Sequence, residues 1–154
     1  MDYLLLKALH ILSSTLLFGT GIGSAFYMLT ASLSREVKAI AVVSRQVVIA
    51  DWIFTATTVV FQPLSGFYLI YLAGIPLNSR WIAWSLGLYL LAGACWLPVV
   101  WLQLRMRDMA QLAARYGTEL PPRYWRYLRI WVALGIPAFL ALVAVFYLMV
   151  AKPA

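Results

Sequence analysis

Apolar residues in this chain do not alternate with polar ones. They come in four long runs, at about residues 3–30, 47–72, 81–104 and 127–151, separated by three polar connections. Each run exceeds the roughly 20 residues that a helix needs to cross a bilayer core. A membrane barrel would need short alternating segments, and none occur. The pattern predicts an all-α, integral membrane four-helix bundle, with residues 1–154 forming one four-span domain. Two short connections and one longer one predict an up-and-down topology with antiparallel neighbours.

The polar connections refine the helix ends. The second span extends as helix back toward Arg35. The stretch "RMRDMAQLAARYG" carries the third helix beyond its apolar part, and Gly117 is placed to cap it. After Pro121 and Pro122, "RYWRYLR" starts the fourth helix. Arg123, Arg126 and Arg129 recur every third residue and so share one flank, suited to lipid phosphates or an acidic partner.

Composition supports the membrane class. The chain is 64% hydrophobic and only 11% charged, where a soluble domain carries about 25% charged residues. The net charge of +7 would in a soluble protein suggest nucleic acid. Here no nucleic acid is expected, because little water-facing surface exists to carry a basic patch. The basic residues instead report topology. Arg35, Lys38 and Arg45 lie in the first connection, and Arg105, Arg107, Arg115, Arg123 and Arg126 in the third. The second holds only Arg80. Positive-inside bias puts connections one and three in the cytoplasm and both termini outside, with Lys7 and Lys152 opposing weakly. Trp81 and Trp84 then form an outer aromatic belt, and Trp52, Trp101, Trp125 and Trp131 an inner one. The N-terminal run lacks a basic leader and a small-residue cleavage site, which predicts a retained first span. Cys95 is the sole cysteine and is expected to be inert.

Polar groups inside a bilayer are costly, so each is a candidate site. His10, the only histidine, lies about 9 Å to the outer side of the midplane. Gln62, Ser65 and Ser85 stand within its reach on other spans. On a helix, His10, Ser13, Leu17, Gly21 and Met28 share one face, predicted to point into the protein. Gly19 and Gly23 form a GxxxG pair, and with Gly21 they open a surface for a neighbouring helix or a flat ligand. His10 is either a hydrogen-bonded packing residue, a proton-relay group, or an axial ligand, which would make it the metal-binding residue of a haem b with Ser13 and Gly21 beside it. Asp51 lies about 15 Å to the cytoplasmic side of the midplane. A lone carboxylate there calls for a cation, with Arg129 the first choice and Arg105 the second. Pro63, Pro98 and Pro137 each free a backbone carbonyl one turn earlier.

The stretches "LKALHILSSTLLFGTGIGSAFYM", "VIADWIFTATTVVFQPLSGFYL" and "GACWLPVVWLQLRMRDMA" together resemble a bacterial membrane family, domain-of-unknown-function family 2269. The resemblance implies a multi-pass protein of the bacterial inner (cytoplasmic) membrane. A weaker likeness, carried by "LKALHI", runs to the HemJ-type protoporphyrinogen oxidases and the CopD-like copper-resistance proteins. It would align His10 with an early histidine of the HemJ type, which is thought to bind a b-type haem. The His-and-Lys motif of that type has no counterpart in "RWIAWSLGLY". The leading expectation is a haem-binding or redox-associated accessory protein with His10 as ligand. The alternatives are a non-catalytic subunit or scaffold packing through the glycine-rich first helix, and a small transporter component. The partners expected are membrane lipid and either a second copy or another membrane protein.

Overall fold

The computed structural model describes residues 2–153. They form α1 (Tyr3–Ser34), α2 (Val37–Ala50), α3 (Ala56–Leu72), α4 (Arg80–Tyr116) and α5 (Pro122–Ala151). A π-helical turn, Asp51–Thr55, joins α2 to α3 without a break, so the two make one crossing. The chain is thus all-α, with four long apolar helices and no strand among the described residues.

The helices outrun their apolar stretches. Only Arg35 and Glu36 separate α1 from α2, and Arg35 takes a left-handed φ of 57° to turn the chain. α4 continues to Tyr116 and stops at Gly117, whose φ of 65° suits a residue without a Cβ. α5 begins at Pro122, where a missing N–H deprives the helix of nothing.

Two hairpins result. One is α1 with α2–α3, the other α4 with α5. α2 packs closely on α4, and α1 on α3. α1 meets α5 only briefly, and α3 makes no close backbone approach to α4. The hairpins are therefore joined at the end that carries the two arginine-rich connections, and they part toward the end that carries the termini. The buried core follows this geometry. Met28, Ile40, Val47, Leu102, Met106 and Tyr124 pack at the arginine-rich end. There Tyr124 Oη lies 2.7 Å from Ser32 Oγ, and the Arg35 guanidinium sits 5.2 Å from the centre of the Trp125 ring. Large apolar side chains such as Leu12, Phe26, Val60 and Leu90 point outward, which fits a lipid solvent and would aggregate in water.

Candidate functional site

His10 sits where α1 touches α3. Its Nδ1 is 2.6 Å from Ser65 Oγ. The Ser65 hydroxyl also donates to the Phe61 carbonyl at 2.7 Å. When the hydroxyl proton goes to the carbonyl, Nδ1–H donates to Ser65 and Nε2 carries the lone pair; when it goes to Nδ1, the roles reverse. Gln62 Nε2 donates to the backbone carbonyl of His10 at 2.9 Å, and not to the ring. A Cβ on Gly66 would stand 3.4 Å from His10 Cε1, so the ring packs directly against α3 at this residue. Ser85 does not reach His10; its hydroxyl donates to the Trp81 carbonyl on its own helix at 2.7 Å. Ser13 and Leu17 are buried on the same face of α1, and Ser13 Oγ has no protein partner.

The proline in α3 has a visible consequence. Pro63 has no N–H for the carbonyl of Val59, and Tyr89 Oη reaches across from α4 to donate to it at 2.7 Å. This bond ties the two helices at the level where the hairpins begin to part.

Asp51 opens the π turn, in which the Ala56 N–H bonds the Asp51 carbonyl five residues back. The wider turn leaves Asp51 and Thr55 buried together, and Thr55 Oγ1 donates to Asp51 Oδ1 at 3.0 Å. Gln103, also buried, lines the same cavity as Asp51, and its Oε1 has no partner. The expected pairing of Asp51 with Arg129 or Arg105 does not form. The one salt bridge among the described residues joins Arg107 to Asp108 at 2.7 Å. Arg105 instead lies over the Trp101 ring, 5.5 Å from its centre. Depth matched but helix phase did not. Arg105 and Arg129 each stand two residues, about 200° of helix, from the inward-facing Gln103 and Trp131, and both are exposed.

Between the hairpins lies a cavity of about 480 Å³. Its walls are apolar, with Leu17, Phe18 and Gly21 from α1, Ala92 from α4, and Phe139 and Leu142 from α5 among them. Asp51, Thr55, Gln103 and Trp131 line its arginine-rich end, and Trp96 and Tyr89 its length. The indole nitrogens of Trp131 and Trp96 have no protein partner. Trp131, expected in an interfacial belt, is buried at 6% exposure and faces inward. Exposed lining residues such as Ile22 and Ile136 mark an opening between α1 and α5. Beside it, Phe18 stacks on Phe139 at 5.5 Å and meets Phe146 edge-on at 5.2 Å. Gly21 lines this cavity, and a Cβ at Gly19, Gly21 or Gly23 would touch nothing within 4 Å.

His10 is not part of that cavity, and neither His, Cys nor Met lines it. No group of three metal-ligating His, Cys, Asp or Glu side chains occurs among the described residues. Thr55, Gln103, Trp96 and Trp131 carry no mark in the hydropathy pattern that separates them from packing residues. A spacing does mark part of the site. Ser44, Asp51, Thr58 and Ser65 stand seven apart, as do Thr55 and Gln62, and all six are buried. Buried polar residues recurring inside an apolar run are the trace of surface turned from lipid, first in α2 and, past the π turn, in α3.

An apolar cavity with a polar end, enclosed by four long apolar helices, belongs to a multi-pass integral membrane protein with internal space for a small molecule. The chain is a member of the family described as predicted integral membrane protein (DUF2269), which matches it over residues 4–153. No curated protein and no solved structure matches the chain.

Proposed function

We propose that this protein binds an amphiphilic small molecule, which it takes from the lipid phase through the opening between α1 and α5. We place it in the bacterial inner membrane, with the arginine-rich connections in the cytoplasm and both termini outside. One observation carries the reading: Gln103 Oε1, Trp131 Nε1 and Trp96 Nε1 lack protein partners and belong to residues lining one apolar cavity. Buried polar atoms are nearly always paired, so such a set marks an incompletely packed interior around the cavity, where an amphiphile has room to bind. A cavity of about 480 Å³ is also within the usual range for small-molecule sites.

Native mass spectrometry of protein released from its own membrane tests this. Wild type should retain a bound amphiphile, and Ala92→Phe, which fills the cavity, should lose it. Equal occupancy in the two would overturn the reading.

Haem b at His10 is the rival. Its support is Nε2, the ring nitrogen without a hydrogen bond when Nδ1 serves Ser65. Against it, the ring is packed on α3 at Gly66 and stands apart from the cavity. A Soret band lost in His10→Ala would favour the rival, and colourless protein the cavity. A scaffold role rests on Gly19 and Gly23, which no helix of this chain covers.

A further inference from the structure

We propose that the arginine-rich end of the cavity receives the ammonium head of a lipophilic amine, a specification that rests on the binding function proposed above. Asp51 is the starting point. It is the one acidic residue within the four apolar runs, it is 6% exposed, and its neighbours Thr55 and Gln103 are neutral. No Lys or Arg stands within 4.0 Å of it. A buried carboxylate without a cation is strongly disfavoured, and an ammonium head would supply the missing charge.

The neighbouring groups suit the same head. Gln103 lines the cavity with Asp51, and its Oε1 is an unpartnered acceptor. Two acceptors in one place match the several N–H donors of an alkylammonium ion. The indole of Trp131 lines the cavity with them, and aromatic faces attract cations where water is excluded. Beyond this end the walls are apolar over about 16 Å, the helix rise between the levels of Trp131 and Leu142. That length takes an alkyl tail. Carboxylate and phosphate heads are excluded by like charge, since no basic side chain lines the cavity.

The test uses the full chain in nanodiscs. Binding of radiolabelled decylamine, decanol and decanoate is counted as the excess over protein-free discs. Decylamine should bind saturably at one per protein, decanol about tenfold more weakly and decanoate not at all. Asp51→Asn should cut decylamine affinity about tenfold and leave decanol unchanged. Ala92→Phe should abolish binding of both. Equal binding of amine and alcohol, preference for decanoate, or an intact amine affinity in Asp51→Asn would overturn the head-group assignment. If Ala92→Phe still removes decanol in that case, the cavity keeps its binding role. If neither probe saturates and Ala92→Phe changes nothing, both proposals fall. Circular dichroism and gel filtration check that the variants fold.

Discussion

His10, the only histidine, and Asp51, the one acidic residue in the apolar runs, look alike in the sequence, yet the fold treats them differently. His10 is held between two touching helices, with Ser65 on its ring, Gln62 on its carbonyl and Gly66 against its edge. Asp51 stands at the end of a cavity, where Gln103 and the indole of Trp131 keep unpartnered atoms. A polar group whose bonds are met by close helix contact works as glue. One whose surroundings still hold unmet donors and acceptors works as a receptor.

The largest expected effect tests the glue. His10→Ala removes the bond to Ser65 and leaves a hole beside Gly66, and should cost about 2 kcal/mol of stability, read from unfolding in mixed micelles. No measurable loss would mean that the α1–α3 contact does not rely on His10. Next comes Asp51→Asn, which keeps an acceptor for Thr55 and removes an uncompensated charge. It should stabilise the ligand-free protein by about 1 kcal/mol. A loss as large as that of His10→Ala would show that a cation holds Asp51, and the two sites would then be of one kind. The smallest effect is that of Trp131→Phe. It replaces the indole with a smaller ring and deletes an unpartnered N–H, so the packing loss and the relief offset, and ligand-free stability should change by less than about 0.5 kcal/mol. A loss as large as that of His10→Ala would show that the indole N–H has a partner or that its packing dominates.

Four helices, their order, the Gly117 cap and the restart near Pro122 were legible because apolar runs and turn residues act locally. Meetings between helices were not. Matching depth brought Arg129 and Arg105 level with Asp51, but depth says nothing of rotation, and both arginines face outward. The same blindness hid Trp131, whose chemistry suits an interface and whose helix phase puts it inside. Ser65 was one of three candidates for His10 at similar depth, and only the packing of α1 on α3 distinguishes it from Ser85.

The π turn at Asp51–Thr55 is a matter of counting. It fits one residue more than an ordinary helix would into that stretch, and so resets the rotation of everything after it by about 100°. α2 thereby turns Ile40, Ser44 and Val47 inward, while α3 turns Thr58, Gln62 and Ser65. Deleting one residue between positions 51 and 55 would lead α3 to present a different face to α1, and no single substitution there would match that damage. Family members can accordingly be sorted by length alone. A chain one residue shorter between its counterparts of Ser44 and Thr58 should have a regular helix, a carboxylate turned elsewhere and no polar end to its cavity.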